Sequence, residues 1–76
     1  MKNLLLYIAQ HLVDSPDEVN VTETTTDSVV SLELRVAQGD MGKVIGRQGR
    51  IAKEIRTIMK AAATRKGVKV DVSIVD

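Results

Sequence analysis

At 76 residues the chain is one domain, residues 1–76, with room for a thin core but not for a core plus a catalytic cleft of ordinary depth. It has no cysteine, which removes disulfides, zinc–thiolate sites and thiol nucleophiles together and fits a reducing compartment, so the expected location is cytoplasmic. The net charge of +1 hides an asymmetry: from Asn3 to Gly42 seven acids face Arg35 alone, whereas from Lys43 to Lys69 nine bases face Glu54 alone. Such a split either puts a positive face on one half of the molecule or marks a well-solvated basic helix.

Leu4, Leu5, Ile8, Ala9 and Leu12 recur at helical spacing, which predicts an amphipathic helix from Asn3 to Val13, stopped by Asp14, Ser15, Pro16 and Asp17. The opening apolar residues are interrupted by Gln10 and His11 and no small-residue cleavage site follows, so they read as helix and not as a leader. No apolar run approaches the ~18 residues of a membrane span, and no membrane insertion is expected. Val19, Val21 and the tract Thr22 to Thr26 suit a strand, Asp27 and Ser28 a turn, and Val30, Leu32, Leu34 and Val36 alternate with polar residues as a second, antiparallel strand. Asp40 can cap a short helical turn through Met41–Ile45. A long helix then runs to Lys66, with Ala52, Ile55, Met59 and Ala62 as its buried stripe, and Gly67 ends it. Val68, Val70, Val72 and Ile74 alternate cleanly as a last strand. The order α-β-β-α-α-β, with three strands each apolar on one face, predicts a two-layer α+β sandwich with a three-stranded sheet; the order of strands within it cannot be read from the pattern.

The most informative stretch is Val44, Ile45, Gly46, Arg47, Gln48, Gly49, Arg50. Two glycines spaced for a tight inter-helix turn bracket polar residues among bases. Glycine tolerates a positive φ and lets another chain's backbone approach closely, and the helix that follows offers free N–H groups and a favourable dipole to an anion. Phosphate is the obvious candidate. A phosphate-loop ATPase reading fails, because Val44 follows Lys43 where Ser or Thr is needed, and the glycines at 39, 42, 46 and 49 do not make a dinucleotide fingerprint. His11, the only histidine, sits near the end of the first helix without a nucleophile partner, and Asp14, Asp17 and Glu18 read as turn formers; no catalytic residue, metal site or cofactor is expected.

The string Val44, Ile45, Gly46, Arg47, Gln48, Gly49 matches the VIGxxG core of the KH domain, whose GxxG loop clamps backbone nucleotides. With the order of elements it resembles the type II arrangement, and Gly42 to Arg50 followed by Ala52, Ile55, Arg56 and Thr57 is similar to the small single-domain bacterial KH proteins of the KhpA family. The resemblance implies that Gly46 and Gly49 hold the turn and that Arg47 and Gln48 reach the sugar-phosphate. Val44 and Ile45 would line a groove for bases, with Lys43, Arg50 and Lys53 adding charge. The groove's other wall would be the second strand, at Leu34 and Val36 or their outward neighbours. The chain would then bind single-stranded RNA as a chaperone or post-transcriptional regulator. An aliphatic groove suits a chain whose one aromatic is Tyr7. The resemblance also implies a homodimer or a heteromer with a larger KH protein, KhpB of the Jag family, and links to cell elongation and division. In that second reading the chain is mainly a protein-interaction subunit.

One departure stands out: the usual isoleucine three residues after the second glycine is Ala52 here, with Ile51 one position earlier. Ile51 and Ile58 then lie about 100° from the buried stripe. They form a groove wall, a self-association surface, or the edge of a wide core.

Overall fold

The computed structural model describes residues 1–75. Helix α1 (Lys2–Gln10) leads through a 3₁₀ turn at Pro16–Glu18 into strands β1 (Asn20–Thr26) and β2 (Val29–Arg35). A second 3₁₀ turn (Gln38–Asp40) precedes helix α2 (Met41–Ile45), a third (Arg47–Gly49) carries the glycine loop, and helix α3 (Arg50–Lys66) and strand β3 (Lys69–Ile74) complete the chain. The predicted α+β class and order hold.

The sheet order is β1-β2-β3, so β2 is central. It pairs antiparallel with β1, from Asn20↔Arg35 to Thr26↔Val29, across a two-residue turn in which Asp27 adopts a left-handed φ of 55°. Aspartate tolerates that conformation better than most residues. It pairs parallel with β3, from Val29↔Lys69 to Leu34↔Ile74, the crossover being the α2–α3 unit. Val30, Leu32 and Leu34 on β2 face the helices and are buried, while Val21 is the one residue β1 contributes to the core. Leu5 and Ala9 of α1, Val44 of α2 and Val72 of β3 close the layer.

In α3 the buried residues are Ala52, Ile55, Met59 and Ala63. The stripe expected to end at Ala62 ends one residue later, because a four-residue step from Met59 follows the 3.6-residue period more closely than a three-residue step on an already advancing stripe. The helix closes as a Schellman motif: Val68 N donates to Ala63 O at 3.0 Å and Gly67 N to Thr64 O at 3.1 Å, with Gly67 left-handed.

Helix α1 stops three residues short of the predicted Val13. Its last turn tightens, with His11 N bonding both Tyr7 O and Ile8 O and Leu12 N bonding Ala9 O. Beyond it the chain is drawn away by Asp40. The Asp40 side chain does not cap α2 as expected; it is buried at 4% exposure and accepts hydrogen bonds from Asp14 N (Oδ1, 3.3 Å) and Ser15 N (Oδ2, 3.0 Å). One carboxylate thus straps the end of α1 to the start of α2. Because these two part-buried N–H groups lose a charged acceptor, Asp40→Ala is expected to lower stability by roughly 1–3 kcal/mol, with Asp40→Asn intermediate, in urea unfolding.

Candidate nucleic-acid interface

The glycine loop is built by two different demands. Helix α2 ends when Gly46 N donates to Gly42 O at 2.9 Å and Gly46 then takes φ 76°, ψ 175°, a region essentially closed to residues with a Cβ. Packing excludes one as well: a Cβ on Gly46 would lie 2.6 Å from Ile51 Cγ1 and 2.9 Å from its Cβ. Gly49 is left-handed too, at φ 74° and ψ 15°, but a Cβ there would meet nothing within 4 Å. Between them Gln48 holds a left-handed φ of 59°, and Gly49 N closes the turn on Gly46 O at 3.2 Å. The first glycine serves the chain's own packing; the second leaves open space at the N-terminus of a 17-residue helix.

The side chains of Arg47, Gln48, Arg50 and Lys53 are exposed, and among the described residues none of them makes a hydrogen bond or ion pair. Lys43 differs. Its Nζ lies 3.3 Å from Asp14 Oδ2 and 3.9 Å from Asp40 Oδ1, so it is turned to the α1 side of the loop and its charge is matched locally. Ile45 is exposed at 36%, whereas Val44 is fully buried in the core. Val44 therefore anchors α2 and offers no surface to a base, contrary to the role the motif implied.

The second wall also differs from expectation. As the central strand, β2 has no free edge; Leu34 is fully buried, and Glu33 and Arg35 alternate to the open face of the sheet and pair there at 3.5 Å. The groove beside α3 is bounded instead by β3. Arg56, Lys60, Val70, Asp71 and Val72 line it, and it continues past Lys60 to Thr64, Val68 and Lys69. Arg56 Nε donates to Val72 O at 3.2 Å, tying helix to strand. Lys53, Arg56 and Lys60 follow at three- and four-residue steps, so one basic flank of α3 runs from the loop into this groove. That spacing was legible in the sequence; the strand opposite it was not.

The other flank of α3 is apolar. Ile51, Ile55 and Ile58 face Ile8 and Leu12 of α1 across a groove rimmed by Arg50 and Glu54. The two isoleucines singled out by spacing separate here: Ile58 is 45% exposed, while Ile51 is half-buried over Gly46. His11 ends α1, its Nδ1 2.8 Å from Tyr7 O and its ring 4.2 Å from the Tyr7 ring. Among the described residues no group of three or more acidic or histidine side chains is placed to hold a metal, and no helix is long and apolar enough to cross a membrane.

A glycine-bracketed turn between two helices, on a mixed three-stranded sheet in this order, defines a type II KH domain. The family model described as KhpA/KhpB, KH domain matches residues 2–74, and the chain belongs to that family. It is 59% identical to the RNA-binding protein KhpA of Clostridium acetobutylicum over 99% of this chain and 100% of that one. It is 53% identical to RNA-binding protein KhpA of Clostridium perfringens over the same shares, and 45% identical to that of Chlamydia trachomatis over 100% of this chain and 97% of that protein. In fold alone it is similar to an Era variant of Aquifex aeolicus crystallised with GDP and aluminium fluoride, with a TM-score of 0.69 and 19% identity over 96% of this chain and 28% of that one.

The unequal demands on the two glycines give a stability test. Gly46→Ala combines a disallowed backbone with a clash and is expected to cost roughly 2–5 kcal/mol. Gly49→Ala pays only the left-handed penalty of about 1 kcal/mol. Chemical denaturation of both variants measures the difference.

Proposed function

We propose that this chain is a single-stranded RNA-binding module, acting by binding and not by catalysis, in the cytoplasm, as a chaperone or post-transcriptional regulator of transcripts. The observation that carries the reading is the open turn at Gln48–Gly49, flanked by the exposed side chains of Arg47, Gln48, Arg50 and Lys53. Phosphate approaches the main chain at Gly49, the helix N-terminus and the arginines supply the positive field, and Gln48 offers amide donors. Downstream the strand follows the basic flank of α3 along β3. Its bases lie against the half-buried Val70 and the exposed Ile45 without an aromatic platform. Gly46 acts indirectly, by allowing Ile51 to close beneath the turn. Lys43 contributes only when it leaves Asp14.

The RNA-binding names of the KhpA relatives support this reading. Arg47→Asp with Gln48→Asp reverses the charge at the phosphate contact without touching the core. RNA binding should fall below detection by filter retention or anisotropy while the circular dichroism spectrum stays that of the parent; retained affinity in the folded variant would remove the loop from the site. For the parent, log affinity should fall with log salt at a slope of about −1.5 to −3, the value for two to four phosphates on single strands.

A second reading, a protein-interaction subunit of a complex governing cell elongation and division, is favoured by the apolar groove between α1 and α3. A lone KH groove grips roughly four nucleotides, and pairing two raises avidity through effective concentration. The groove opposes the basic flank, so a homodimer, or a heteromer with a KhpB-type protein of the Jag family, leaves the RNA track free. The rim carries one residue of each sign, Arg50 and Glu54, which a two-fold pairing of the groove with itself would set against each other. Ile58→Asp is the cleaner probe, because Ile51→Asp would also disturb the loop through Gly46. Light scattering should show Ile58→Asp shifted to monomer with its helical content kept; an unchanged mass would place any self-association elsewhere.

A further inference from the structure

We infer that Arg56 reads one base of the bound strand and selects guanine or cytosine over adenine and uracil; this rests on the RNA-binding reading above and adds a base preference to it. Arg56 is the one cation of the α3 flank held at a fixed place on the groove wall. Its Nε–H is committed to Val72 O on β3, at 3.2 Å, and β3 is an edge strand, so this bond occupies a carbonyl that would otherwise be free to accept from a base amino group. What the wall presents at that point is the outer end of a guanidinium. With Nε bonded, the two terminal nitrogens keep four N–H donors in a rigid planar fork and no acceptor.

The rest of the wall reinforces donor character. Lys60, one turn further along, lines the same groove and adds donors without direction, while the half-buried Val70 supplies apolar surface. Asp71, the one carboxylate of the lining, sits on β3 between the core-facing Val70 and Val72, and the ion pairs among the described residues do not join it to Arg56 or Lys60. The fork is therefore left for the ligand.

A fork of adjacent donors is satisfied by a base edge carrying two adjacent acceptors. Guanine has them in O6 and N7, the commonest bidentate arginine contact. Unpaired cytosine has them in O2 and N3. Adenine sets its amino group beside each of N7 and N1, and uracil sets its N3–H between O2 and O4, so either base accepts one hydrogen bond and turns a donor towards the guanidinium. Arginine is needed for this because a lysine at the same place is a point charge.

The test is anisotropy with four labelled RNA octamers: oligo(C), alternating guanine–uracil, oligo(A) and oligo(U). On the full chain the first two should bind about tenfold tighter than the last two, within what one bidentate pair discriminates. Arg56→Lys keeps the charge and loses the fork; it should bind oligo(A) as the parent does and bring all four octamers to within about twofold. A purely structural role of Arg56 would weaken all four alike and leave their ratios unchanged, which overturns the assignment, as does a preference for adenine or uracil or equal affinity in the parent. Replacing guanine by 7-deazaguanine in the parent complex removes the N7 acceptor and should reduce the alternating octamer to the oligo(U) level, a readout that stands if Arg56→Lys does not fold. Equal binding of all octamers overturns the base preference alone; binding of none overturns the RNA reading with it.

Discussion

Ile51 occupies the space a side chain on Gly46 would need, and the rest of the molecule is arranged around that contact. The chain has to reverse between two helices within four residues, and Gly46 achieves this by a backbone conformation that no other residue adopts without strain. With Ile51 pressed against the turn from beneath, the remaining loop residues are pushed outward, where Gln48 carries a left-handed φ although it has a Cβ. Strain of about 1–2 kcal/mol at an exposed glutamine is tolerated because Val44 and Ile55 bury the segments on either side. The inner side of the loop is committed to packing against Ile51, and its outer side stays open.

Helix α3 then divides the surface. Its buried stripe fixes its rotation, and that rotation puts Lys53, Arg56 and Lys60 on the β3 side and Ile58 on the α1 side. Separating a charged track from an apolar groove across one helix allows a polyanion and a protein partner to be engaged together. Neither contact needs the other's surface. Asp40 supports the arrangement from a distance by strapping the 14–15 segment to α2, which sets where Lys43 finds its carboxylates.

Much of this was legible in the sequence because it is carried by local chemistry. The period-2 alternation of Val30, Leu32 and Leu34, the glycine pair at 46 and 49, and Gly67 as a helix stop each have one physical meaning at their spacing. The features that were not legible depend on where the chain returns in space. The family resemblance implied a groove wall at β2, but the parallel crossover brings β3 to the flank of α3 and leaves β2 with no free edge. Asp40 has the residue type and position of a helix cap, and only the fold shows that its acceptors are taken by backbone 25 and 26 residues away. Val44 lies in a motif associated with ligand contact, yet a five-residue helix with one side against the core has to bury something, and Val44 is what it buries.

Amide chemical-shift mapping during titration with a single-stranded RNA octamer would show whether the exposed side of the glycine turn and the basic flank of α3 act as one continuous nucleic-acid track. Shifts are expected to concentrate at Arg47–Lys53 and to continue along Arg56, Lys60 and Val70–Val72, with little change at Glu33, Arg35 or the Ile8–Leu12 groove. Shifts centred on the open face of the sheet or on the apolar groove, with the glycine turn unmoved, would contradict such a track.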